Sequence, residues 1–263
     1  MTILVLRGHI RSSFNNNNLY NLVKTLSNTH SNLKIYIHTW NIVQNETSWR
    51  KMEQKNIPVN NELINWYFKD LSYLIKHIII DDDNQIEITG RTEGAIIPKV
   101  KGPIIGWKRY WYGKYQIISY LHNIVEESNE LIINCRFDVL ENSNSYKTEN
   151  IVDFINKNMD KKLTRNIFYT DTILNDAQKQ ELKQSIGKID VGSMALFCVC
   201  NNFFIADTLI FYGIDNLYLG NIHTQYTLVN HFHKNLDTII KNNMEAITQE
   251  FLVPIENNIL FTT

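Results

Sequence analysis

The stretch Leu131-Ile132-Ile133-Asn134-Cys135-Arg136-Phe137-Asp138 decides the fold class. It is a short, mostly apolar run with β-branched residues, bounded by polar sequence and closed by Arg-x-Asp. A run of this length reads as a buried strand rather than a helix. In an open α/β sheet, ligands sit in the crevice outside the carboxyl ends of the strands. Arg136 and Asp138 fall at that end. Residues two apart on a strand point the same way, so the pair is expected to address one ligand together. A guanidinium fork suits a diphosphate, and a carboxylate suits a hard divalent cation bridging it. The competing reading is an ion pair that merely closes the strand end.

The N-terminus repeats the pattern. Ile3-Leu4-Val5-Leu6 is a continuous apolar run of the kind found in strands buried on both faces. It ends in Arg7-Gly8-His9-Ile10-Arg11. Gly8 permits a tight turn or a close backbone approach to a ligand. Arg7, His9 and Arg11 bring cationic donors to the same strand end, a cradle for an anion or nucleotide, though the glycine spacing is neither Walker nor Rossmann. Leu19, Leu22, Val23 and Leu26 then fall at helical spacing, and residues 33–37 form a second strand ending in His38-Thr39-Trp40-Asn41. Strand, helix, strand is the crossover of a parallel sheet. Trp40 has two readings, stacking on a base or sugar and packing in the core.

Between these ends, residues 42–60 read as a loop and helix anchored by Trp49 and Met52, and residues 61–77 as an amphipathic helix. Ile78-Ile79-Ile80 reads as a strand, and Asp81-Asp82-Asp83 as a solvated hairpin tip before a strand at 86–88 rather than a metal site. Residues 90–106 form a long loop. Trp107-Lys108-Arg109-Tyr110-Trp111-Tyr112-Gly113-Lys114-Tyr115 opens a helix dense in aromatics and cations, a mixture that suits sugars or single-stranded nucleic acid. Further on, residues 151–159 read as a helix, 166–170 as a strand, 176–186 as a polar helix and 191–199 as a strand. Asp207 lies inside an otherwise apolar segment, residues 203–213. A carboxylate there needs a partner, so it is either a helix N-cap or a functional acid. His223, His231 and His233 read as structural, the alternative being that one of them completes a metal site.

Composition narrows the function classes. With 263 residues, 44% hydrophobic and 20% charged, the chain can bury a large core. Lys+Arg of 26 against Asp+Glu of 27 argues against non-specific nucleic-acid binding and favours the sugar over the nucleic acid as partner of the aromatic stretch. The cysteines are Cys135, Cys198 and Cys200, without metal-type spacing, which favours a reducing compartment. The first apolar run breaks at Arg7, too soon for a signal peptide, and no run approaches the roughly 20 residues of a membrane span. A cytoplasmic protein, free or peripheral to a membrane, is expected.

Several of these pieces together resemble a known family. Leu6-Arg7-Gly8-His9-Ile10-Arg11, Ile35-Tyr36-Ile37-His38-Thr39-Trp40-Asn41, the strand ending in Arg136-Phe137-Asp138, and Ala206-Asp207-Thr208 before Tyr212-Gly213 resemble, in order and spacing, a group of uncharacterised capsule, lipopolysaccharide and large-virus glycosyltransferases. The resemblance runs from the start of the chain to Gly213. It implies a GT-A-like α/β domain with a mixed, mainly parallel sheet over residues 1–263, in which residues 1–140 serve the nucleotide and 141–263 the acceptor. It implies transfer from a UDP- or GDP-type nucleotide sugar to a glycan or other hydroxyl acceptor. Arg7, Gly8, His9, Arg11, His38, Thr39, Trp40 and Arg136 would bind the donor, and Asp207 would act as base. In that family Arg-x-Asp looks like the counterpart of a metal-holding Asp-x-Asp. Asp138 would then hold Mn²⁺ or Mg²⁺, with Arg136 assisting in place of the first acid. The alternative is a non-catalytic nucleotide- or carbohydrate-binding domain.

Overall fold

The computed structural model describes residues 1–47, 52–94, 103–125, 131–141, 147–159, 166–169, 194–196, 217–223, 225–226, 229–230, 233–234 and 237. Among them is a seven-stranded sheet of order β5-β2-β1-β6-β9-β7-β8. Its strands are β1 (Thr2–Arg7), β2 (Leu33–Trp40), β5 (Ile75–Asp81), β6 (Leu131–Arg136), β7 (Asn166–Tyr169), β8 (Met194–Leu196) and β9 (Leu217–Gly220). β5, β2, β1 and β6 are parallel neighbours, whereas β9 is antiparallel to both β6 and β7. β7 therefore runs with β6, and only β9 and β8 oppose the rest. The protein is an α/β fold built on a mixed, mainly parallel sheet.

Apolar content decides the strand order. Every residue of β1 is buried, as befits a strand covered on both faces. Alternation then sorts the side chains. Leu4 and Leu6 of β1, Ile35 and Ile37 of β2, and Ile133 and Cys135 of β6 join one core with α1 (Asn18–Thr29) and α4 (Thr148–Met159). The predicted stripe Leu19, Leu22, Val23 and Leu26 is the buried face of α1. On the other face lies α3 (Ile104–Ile124), and this is the side to which Arg7, Tyr36, His38 and Asn134 project. α3 reaches that sheet closely because position 113 carries no side chain: a Cβ there would lie 2.4 Å from Cε1 of His38.

Three local expectations differ from the structure. In place of the loop and helix expected over 42–60, the described residues form β3 (Ile42–Gln44) and β4 (Lys55–Pro58), a separate antiparallel pair, and the expected anchor Trp49 lies outside the described residues. The helix predicted over 61–77 is α2 (Asn61–Phe68), capped by Asn60, whose side chain accepts from the Leu63 amide at 2.9 Å. It gives way to a 3-10 segment, Lys69–Leu74, at Lys69, whose φ of +51° no α-helix accommodates. β5 therefore starts at Ile75 and runs to Asp81, absorbing the predicted strand 78–80. Residues 86–88 form no strand, and Asp82–Gln85 make a turn closed by the Gln85 amide on the Asp82 carbonyl at 3.0 Å.

Candidate functional site

The carboxyl ends of β1, β2, β5 and β6 meet at one edge of the sheet. Arg7 is the Cα partner of His38 on one side and of Arg136 on the other, and Trp40 pairs with Asp81. Just past β1, Gly8 turns with φ +89°, and its amide donates to the His38 carbonyl at 3.1 Å. The Thr39 hydroxyl donates to the Gly8 carbonyl at 3.0 Å. A Cβ at Gly8 would meet nothing within 4 Å, so its backbone conformation, not crowding, is what calls for glycine. Arg11 also has a left-handed φ, +55°, held by its amide donating to the Val43 carbonyl at 2.9 Å.

From this frame three arginines converge. Arg7 is buried, donates from Nε to the Asn134 side-chain oxygen, and lies over the Tyr110 ring at 5.3 Å. Arg136 forks onto Asp138, with Nε to Oδ1 at 2.7 Å and Nη2 to Oδ2 at 2.8 Å. Nη1 of Arg11 reaches the same Oδ2 at 2.5 Å. The strand ends at Arg136, and Asp138 sits in the following turn, where the amide of Glu141 donates to its carbonyl at 3.1 Å. Arg136 and Asp138 thus address each other, because strand alternation stops before Asp138. Asn134 is itself fixed by Gln225, whose Nε2 donates to the Ile132 carbonyl at 2.9 Å.

Sequence reasoning missed two members of this cluster. Lys114 is fully buried, with Nζ 3.1 Å from the Tyr110 hydroxyl, 4.9 Å from the Tyr110 ring centroid and 4.4 Å from that of Trp111. Burial, then the nearby Arg7 and Arg136 charges, hold its amine well below the usual lysine range. Tyr110 touches both Arg7 and Lys114. The available signal was the one-turn spacing of Tyr110 and Lys114 in the aromatic stretch.

A second cluster lies beside the first. Nε2 of His38 is 3.1 Å from Asp81 Oδ2. Trp40 is 3% exposed, with His9 stacked at 5.7 Å and Tyr112 at 6.1 Å. It supports the site wall, because a ring so covered offers no face to a base or sugar. His9 Nε2 lies 3.7 Å from Asp83 Oδ2, an ion-pair distance too long for a hydrogen bond. Burial, partly opposed by Asp83, lowers the His9 pKa. Asp83 also accepts from the Asn45 amide at 2.6 Å and lies 3.6 Å from Arg109. Burial pushes its carboxyl up, but His9, Arg109 and Asn45 together hold it below the usual value. The acidic triplet is therefore divided: Asp81 serves His38, Asp83 serves His9 and Arg109, and Asp82 caps its own turn through the Asn84 amide at 2.9 Å.

A divalent cation needs several oxygen ligands. Among the described residues no group of three His, Cys, Asp or Glu side chains is placed to hold a metal. Both oxygens of Asp138 already accept from guanidinium groups. This donor set does not fit a hard cation. Asp207, the expected base, lies outside the described residues, as do His231, Cys198 and Cys200. His223 is exposed, and the His233 ring stacks on Tyr115 at 4.1 Å.

Fold and site together define an α/β protein with a cationic, aromatic-walled edge at the carboxyl ends of its parallel strands. No family model matches the chain, and no curated protein matches it. Solved structures similar to it include the galactosyltransferase LgtC in complex with donor and acceptor sugar analogs and an active-site mutant of LgtC. Each shares 11% identity at a TM-score of 0.42, over 95% of this chain and 66% of the other. The chain spans just under two thirds of their length. No helix among the described residues is long and apolar enough to cross a membrane.

Proposed function

We propose that the protein is a glycosyltransferase that moves a sugar from a UDP- or GDP-type nucleotide sugar to a hydroxyl of a glycan or similar acceptor. One observation carries the reading: Arg7, Arg11, Arg136 and Lys114 gather at the carboxyl ends of β1 and β6. Ligands of open α/β sheets bind at that edge. When the glycosidic bond to the donor breaks, a nucleoside diphosphate leaves, and positive charge aimed at it lowers the barrier. The guanidinium groups supply that charge, and their forks match phosphate oxygens. Gly8, with no side chain, lets the donor approach the β1 turn. His9, His38, Thr39 and Trp40 shape the wall beside it.

In this reading residues 1–140 carry the donor and residues 141–263 the acceptor. Asp207 takes the proton of the acceptor hydroxyl. The test is a panel of nucleotide sugars with simple glycan acceptors, read by release of nucleoside diphosphate and by mass of the product. Release together with a glycosylated product supports transfer. Binding of nucleotide without turnover of any donor, in the presence of acceptor, would reduce the protein to a binding domain.

A further inference from the structure

We infer that the donor's diphosphate is held by the Arg136 and Arg11 guanidinium groups directly, without a divalent cation, and that Asp138 is the group that positions them. This inference rests on the proposed use of a nucleotide-sugar donor. Three observations carry it. First, the Asp138 carboxylate is engaged at both oxygens, by the Arg136 fork at 2.7 and 2.8 Å and by Arg11 at 2.5 Å. A cation seated there would have to displace a guanidinium and then sit beside two positive charges. Second, the layering is the reverse of a cation site. The Asp138 side chain is 4% exposed, whereas those of Arg136 and Arg11 are 19% and 17% exposed. An anion arriving from solvent meets the guanidinium groups first, with the carboxylate behind them. Third, the fork uses two of the five N–H donors of Arg136, so its guanidinium can orient on Asp138 and still donate to phosphate oxygens.

The division of labour follows from chemistry. A guanidinium stays protonated at any working pH and delivers parallel hydrogen bonds. Its planar group gives no stabilisation if it swings freely, and the Asp138 carboxylate removes that freedom. Asp138 is therefore a positioning residue, and Arg136 and Arg11 are the groups that touch the leaving diphosphate.

The experiment uses the full chain and calorimetric titration of UDP and of GDP, each in EDTA and in Mn²⁺. Whichever nucleotide binds is expected to do so with equal affinity in both, to within about threefold. Arg136→Ala is expected to weaken binding about ten- to a hundredfold in both conditions, and Arg136→Lys to recover only part of the loss, since ammonium is a point charge without the fork. Asp138→Asn is expected to change the EDTA and Mn²⁺ affinities by the same factor. Melting temperatures of all variants separate lost contacts from lost folding. Binding that requires Mn²⁺, or an Asp138→Asn loss confined to the Mn²⁺ titration, overturns the inference and leaves the glycosyltransferase reading standing. Failure of both nucleotides to bind in either condition overturns both.

Discussion

Gly113→Ala should destabilise the protein, although alanine is the better helix former. Gly113 lies within α3 where the helix crosses His38 of β2. The added Cβ would stand 2.4 Å from Cε1 and 2.7 Å from Nδ1 of that ring. Carbon atoms at rest sit about 3.5–4.0 Å apart, so ring and helix must part by about 1 Å. The ring has nowhere to go: it is 1% exposed, tied to Asp81 at 3.1 Å and packed edge-on to Trp40 at 5.2 Å. Overpacking of this kind costs about 1–3 kcal/mol. Loss of the His38–Asp81 bond adds about 1 kcal/mol. The gain in helix propensity returns about 1 kcal/mol. The net is a destabilisation of about 1–3 kcal/mol, or a fall in Tm of roughly 3–10 °C. Urea denaturation followed by circular dichroism measures it as a lower midpoint at unchanged slope. Gly106→Ala is the milder comparison, since its Cβ would meet the Thr47 side chain and carbonyl at 3.2 Å, a tight contact but not an overlap like that at His38. A Gly113→Ala protein as stable as the parent would refute the argument, because helix propensity would then outweigh the clash.

Three further outcomes are expected. Because burial lowers the His9 pKa, the unfolded chain binds more protons than the folded one as pH falls below about 6.5. Stability is therefore full above that pH and declines on acidification; Asp83, also lowered, extends the decline further down. Tm measured from pH 7.5 to 5 checks the sign, and His9→Gln should reduce the slope, leaving the part due to His30 and His233, whose pKa values burial also lowers. Burial pushes the Cys135 thiol up to about 12, so iodoacetamide at pH 8 should leave it unlabelled until denaturant is added, as read by peptide mass spectrometry. Asp207→Asn should abolish sugar transfer while sparing nucleotide affinity; retained transfer would remove it from the role of base, since asparagine caps a helix nearly as well.

The strands that frame the site were readable because their apolar runs are unbroken. Residues 3–6 and 131–135 announce buried parallel strands, and the cationic groups that end them fall where such sheets bind ligands. Arg7, Gly8, Arg11, His38, Thr39 and Arg136 are brought together accordingly. What those groups do to one another was not readable. Strand periodicity placed Arg136 and Asp138 side by side facing a ligand, yet the turn after Arg136 folds the carboxylate back under two guanidinium groups. Trp40 became wall rather than platform, because α3 brings Tyr112 against it. Lys114 escaped notice because nothing local buries a lysine; the Tyr110 and Trp111 rings do so only once α3 lies on the sheet. The early end of α2 hangs on the backbone of Lys69, a residue type that gives no warning of a positive φ.

The linkage of β1 to β6 has a consequence for how the chain reaches its fold. Arg7 to Asn134 and Arg11 to Asp138 each join residues 127 apart. Closing a loop of that length costs about 4 kcal/mol of chain entropy before any contact repays it. Parallel pairing of such distant segments is intrinsically slow. During synthesis β1 and β2 emerge first and can pair at once, whereas β6, which starts at Leu131, follows only after a long intervening stretch has been made. Until then β1, buried at every residue in the finished sheet, presents one open edge, a template for pairing with other chains. The same late strand carries Arg136 and leads into Asp138, so covering the open edge of β1 and assembling the candidate site happen in a single step.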